Sequence, residues 1–189
     1  MREGQAKVLS SDEIKRVYSI AGSGRMGDRD TVLLDFSIRL GLRVKEMASL
    51  KIDDVIDGNV KIRDSFFLKA DQSKGDKGRT IYLTNKKLRK NLQIYLDSRD
   101  GDLNRHLFKS QKTSFTPTSL QQVFKRLYRT AGIKGAKSHS GRRTFATALI
   151  EKGFDIKSVS LLMGHSSIQT TARYISENPV RLGEMVAGL

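Results

Sequence analysis

Residues 161–175 read LLMGHSSIQTTARYI. Leu161, Leu162 and Met163 end an apolar helical run that opens at a capping Asp155 and stops at Gly164. His165 follows in a tight turn, and a second helix starts near Ser167. Tyr174 then lies about two turns into that helix, at 1.5 Å rise per residue. Taken singly, a turn histidine is a satisfied polar group and a helical tyrosine is half-buried packing. Together they place an imidazole in the turn and a phenol about two turns along the helix that follows it.

Working outward, the rest of the chain is also mostly helical. Ser10 and Glu13 have capping-box spacing, and Ile14, Val17 and Tyr18 share a face up to Gly22. After the glycine-rich SGRMGDR (23–29), DTVLLDFSIRLGL (30–42) predicts an apolar helix broken at Gly41, and RVKEMASL (43–50) a short one. Asp57-Gly58 between alternating apolar residues signals a hairpin. FFLKA (66–70) and RTIYL (79–83) read as strands flanking the polar DQSKGDKG (71–78). The expectation is therefore a small antiparallel sheet of about three strands. Leu88, Leu92 and Leu96 then form one stripe, and Leu120, Phe124 and Leu127 another behind Thr116-Pro117. Asn178-Pro179 opens a last helix. The fold class is α+β, mainly α, in one domain over 1–189.

Thirty-five Lys and Arg against 20 Asp and Glu leave a formal charge of +15. Such a surface favours polyanions, nucleic acid first, since no convincing basic amphipathic helix points to a membrane. The chain has no cysteine, no apolar run of spanning length and no apolar leader in MREGQAKVLSSDE (1–13), so a cytoplasmic protein is expected.

Further positions carry chemistry. His139 and Arg142, three apart at a helix mouth, can aim at one anion, helped by the helix N-terminus. Arg43 follows a helix break among apolar residues, so it needs a partner: Glu46, a phosphate, or both. Lys74, Lys77 and Arg79 read either as a solvated hairpin tip or as a basic finger along a nucleic-acid groove.

In this order, the pieces resemble the tyrosine recombinase (phage integrase) family. Gly41-Leu42-Arg43 with Glu46 matches its G-L-R-x-x-E, and SKGDKGRTIYL (73–83) resembles its hairpin turn, with Lys74 at the lysine position. His139 and Arg142 match H-x-x-R. Residues 163–174 match L-G-H-S-S-I-x-T-T-x-x-Y, with Met163 in the first place. The likeness runs from about Leu9 to Glu177. Gly141 stands where members commonly carry leucine, and Arg143 where histidine is commoner.

The resemblance implies DNA strand transesterification without cofactor or metal. Tyr174 is the expected nucleophile, and Arg43 and Arg142 the clamp on the phosphate. Lys74 is the expected acid, His139 the base and His165 a phosphate hydrogen-bonder. Glu46 would orient Arg43, while Lys77, Arg79 and Arg143 would contact DNA. Double-stranded DNA is the implied partner, with a homotetramer on paired sites and a monomer without DNA; the host is a bacterial or archaeal cell, with a phage or other mobile element as one source. Typical members carry a helical core-binding domain ahead of the catalytic one; here it is expected to be absent, in a natural single-domain member or a shortened chain. Type IB topoisomerase-like DNA relaxation and a non-catalytic DNA-binding regulator are the alternatives.

Overall fold

The computed structural model describes residues 6–69, 78–99, 105–110 and 113–172. The order is α1 (Ser11–Gly22), α2 (Gly27–Ile38), α3 (Val44–Ser49), α4 (Ile52–Val55), β1 (Ser65–Leu68), β2 (Arg79–Tyr82), α5 (Lys86–Asp97), α6 (Pro117–Thr130), α7 (Ser140–Glu151), α8 (Ile156–Met163) and α9 (Ile168–Ala172). Among the described residues no helix is long and apolar enough to cross a membrane.

Helix starts follow local chemistry. Ser10 Oγ accepts from the Glu13 N–H while Glu13 accepts from the Ser10 N–H, satisfying two otherwise orphaned donors of α1. Thr116 caps α6 with Pro117 at its first position, and Asp155 caps α8 by accepting from the Ser158 N–H. Helix α2 starts at Gly27, inside the stretch expected to be loop.

Helix α2 is the axis of the fold, with eight of its twelve residues buried against α1, α5 and α7. Its Phe36 meets Phe108 edge-on at 5.3 Å, and Tyr95 of α5 stacks on the same ring. Buried Asp35 accepts from Tyr18, Arg39 and Asn91, tying α1 and α5 to α2. A carboxylate so deep stays tolerable because each oxygen has a partner. Asp30 does the same toward α6, accepting from Arg29 and Arg126.

Strand β1 pairs antiparallel with β2, from Ser65 opposite Tyr82 to Leu68 opposite Arg79. Among the described residues the sheet has these two strands, rather than the three expected. The Asp57-Gly58 segment does reverse the chain, but it makes only a single bridge between Ile56 and Ile62. Its first arm is consumed by α4, which Asp54 caps by accepting from the Lys51 N–H. The reversal itself is closed by Asp57 Oδ1, which accepts from the N–H groups of Asn59 and Lys61.

Candidate active site

The site grows from two left-handed glycines. Gly41 (φ +66°) turns the chain sharply at the end of α2, so that Arg43 starts α3. A side chain on Gly41 would strike Phe145 of α7. Gly164 (φ +59°) ends α8 and presents His165.

Glu46, fully buried on α3, is the hub. Its Oε2 accepts from the Arg43 N–H at 2.7 Å, and its Oε1 accepts from Arg43 Nη1 at 2.8 Å. Both oxygens also accept from Arg79, Nη1 at 2.8 Å and Nη2 at 2.9 Å. Burial alone would raise the pKa of this carboxyl. The hydrogen bonds and charge of Arg79, with the charge of Arg142 and the Arg43 N–H, outweigh burial and hold it at about 2.

Arg142 lies in the first turn of α7, 3% exposed. It donates from Nη1 to the Gly41 carbonyl and from Nη2 to the Met163 carbonyl, joining the α2–α3 corner to the end of α8. His165 Nδ1 sits 2.7 Å from Thr171 Oγ1, inside α9. Burial, then the charges of Arg142, Arg43 and Arg79, lower the histidine's pKa from 6.5 to about 4, with Glu46 opposing. The imidazole is therefore neutral at pH 7, among three guanidinium charges and one carboxylate. That sums to a local charge of +2, suited to a phosphate that gains negative charge as it reacts.

Arg43, Glu46, Arg142 and His165 thus meet at one corner. His139 is exposed at the mouth of α7, its Nδ1 3.4 Å from Ser138 Oγ. Lys74, Lys77 and Tyr174 lie outside the described residues.

Two residues expected to contact DNA are engaged within the protein. Arg79 is 6% exposed and faces inward, with Nε donating to the Leu162 carbonyl and both Nη groups on Glu46. The β2 burial pattern explains this: Arg79 and Ile81 share the inner face. Arg143 is half-buried and donates to the Ala6 carbonyl, fastening the segment before α1 to α7. Gly141 also gains a reason: a Cβ there would come within 2.2 Å of Ser37 Oγ, so α7 packs on α2 too closely for a larger side chain at this place. Thr171, absent from the expected site, was visible only as part of the GHSSIQTT run (164–171).

A groove of about 400 Å³ opens beside this corner, lined by Phe67, Arg79, Tyr82, Leu161 and His165 among others. The phage integrase family model matches residues 7–181. The chain belongs to the phage integrase family. Tyrosine recombinase XerA of Pyrococcus furiosus is 33% identical over 184 residues, which cover 95% of this chain and 60% of the relative. A crystal structure of XerA recombinase superposes with TM-score 0.77 at 32% identity, over 96% of this chain and 64% of that one. XerH site-specific recombinase, bound to its difH substrate before cleavage, gives TM-score 0.73 at 26% identity, over 96% and 53% respectively. This integrase-family chain therefore spans about three fifths of the length of that curated relative.

Proposed function

We propose that this chain is the catalytic part of a site-specific recombinase, which cuts and rejoins DNA in integration, excision or inversion. The observation that carries the reading is the convergence of Arg43, Arg142 and His165 around Glu46, four positions spread over 123 residues of sequence. The likeness to XerA and to XerH with its substrate supports it.

In this reading Arg43 and Arg142 clamp the non-bridging oxygens of the scissile phosphate, since guanidinium stays ionised and donates in pairs. Neutral His165 donates a further hydrogen bond. Tyr174 Oη forms a bond to phosphorus as the bond to the 5′ oxygen breaks, giving a 3′-phosphotyrosine and a 5′ hydroxyl. The phenol has an ordinary pKa of about 10, so His139 takes its proton while Lys74 supplies one to the leaving oxygen. The ester conserves the bond's free energy, and rejoining reverses the same steps without ATP. Lys77 of the hairpin contacts the DNA backbone. Exchange between two duplexes takes four protomers, each placing the apolar Val180, Leu182, Met185 and Val186 of its tail in a groove of its own body or of a neighbour.

The test is a nicked suicide duplex, on which religation is impossible. Wild-type protein accumulates a covalent adduct on a denaturing gel, and Tyr174→Phe binds the duplex but forms none. An adduct surviving in Tyr174→Phe removes that residue as nucleophile. Strand exchange between two marked duplexes separates recombination from simple relaxation.

A further inference from the structure

We propose that Arg79 is a positioning residue, carrying the counter-charge of Glu46 so that Arg43 keeps both its aim and its positive charge for the DNA phosphate. The inference rests on the reading of Arg43 as a phosphate ligand given above. Glu46 has one negative charge and serves two guanidiniums. If Arg79 were absent, the whole charge would fall on Arg43, 2.8 Å away, and the local balance at this corner would drop from +2 to +1. A clamp whose charge is already spent on an internal carboxylate stabilises a reacting phosphate less.

The geometry adds a second effect on the same residues. Arg79 begins β2, paired with Leu68, and its three nitrogens reach α3 and α8 at once. Its stem packs against Gly164, where a Cβ would come within 2.8 Å of Arg79 Cδ. Arg79 therefore holds the carboxylate that aims Arg43 and also braces the turn that presents His165. The side chain is directed at protein groups, so its influence on the reaction passes through those two residues.

The experiment measures single-turnover adduct formation on the suicide duplex at saturating protein, with duplex affinity by gel shift and thermal melting alongside. The proteins are wild type, Arg79→Lys, Arg79→Met, Glu46→Gln and the Arg79→Met/Glu46→Gln double variant. Duplex affinity is expected to hold in all of them. The adduct rate of Arg79→Met falls on the order of 10²-fold, the scale of a slightly misplaced catalytic group. Arg79→Lys recovers part of this, because it keeps the charge and loses the paired donors. The double variant falls no further than Arg79→Met. It also melts higher than Arg79→Met, since it carries no buried carboxylate that has lost one of its two guanidinium partners. A wild-type rate in Arg79→Met overturns the proposal. So do losses that multiply in the double variant, or a loss of affinity that accounts for the whole defect. If Arg79→Met does not fold, Arg79→Lys and the double variant decide by the same criteria. No adduct from wild-type protein defeats the recombinase reading, and this inference with it.

Discussion

The described residues contain two apolar clusters of very different size. The larger gathers thirty buried side chains, mainly from α1 to α6 and the two strands. The smaller has four, Ala146, Ile150, Val159 and Met163, with Phe145 and Leu149 packed against them. Arg43 and Glu46 belong to the large body, and His165 hangs from the small one. The seam between them is packed where α7 lies on α2, and it is also bridged by hydrogen bonds: Arg142 to the Gly41 and Met163 carbonyls, and Arg79 to Glu46 and the Leu162 carbonyl. The staples are thus made of charged groups at the place where an anion would bind. A buried arginine stapling two carbonyls is costly to desolvate, and its retention fits a role beyond stability.

The sharpest way to break this contrast is to remove apolar volume from each side. Leu34→Ala, in the large cluster, is expected to cost about 2–5 kcal/mol of global stability in a urea titration. Val159→Ala, in the small one, loses two methyl groups and roughly 1.5 kcal/mol. More important is where the loss falls. Val159→Ala should speed hydrogen exchange in α8 and leave α2 and α6 protected, whereas Leu34→Ala weakens every helix of the body. Equal acceleration across all helices in both variants would show a single cooperative core and remove the distinction.

Acid separates the two sides by different groups. His165 has its folded pKa lowered from 6.5 to about 4, so between those values the unfolded chain binds a proton that the folded chain refuses. Its contribution is complete above about pH 6.5 and disappears as pH falls toward 4. Glu46, lowered from 4.5 to about 2, gives its contribution above pH 4.5 and loses it as pH falls toward 2. Melting temperature recorded from pH 7 to 4 should fall in wild type and flatten in His165→Asn. An unchanged slope in that variant would place the titration elsewhere.

The same contrast explains what could be read from sequence. Helix ends were legible because their causes are local: Ser10 with Glu13, Thr116 with Pro117, and Asp155 with Gly164 each act within one or two turns. The Arg43–Glu46 pair was legible for the same reason, at spacing three. The internal partners of Arg79 were not legible because they lie 33 and 83 residues away, and its neighbours Lys74 and Lys77 make the stretch look like a solvated charge run. Alternation with Ile81 was the clue, a weak one in a four-residue strand. The missing third strand has a similar cause. Alternating apolar residues around Asp57-Gly58 suit a strand, but a short capped helix took the first arm.

The finest probe of the seam is Thr171, fully buried in α9, six residues after the histidine that it holds. Neutral imidazole carries one ring proton. A hydroxyl donating to Nδ1 leaves that proton on Nε2, on the opposite side of the ring, as a donor to a phosphate oxygen. Thr171→Val keeps the shape and deletes the hydroxyl. One hydrogen bond of about 1 kcal/mol corresponds to roughly a five-fold slower adduct rate. Thr171→Ser should restore the rate, which a pure packing role for the threonine methyl would not allow. Ring ¹⁵N shifts of His165 report the tautomer directly, with Nε2–H dominant in wild type and a mixture in Thr171→Val. A wild-type rate together with unchanged ring shifts in Thr171→Val would mean that the arginines alone orient the imidazole, and the small cluster would then supply the site with a scaffold but no aim.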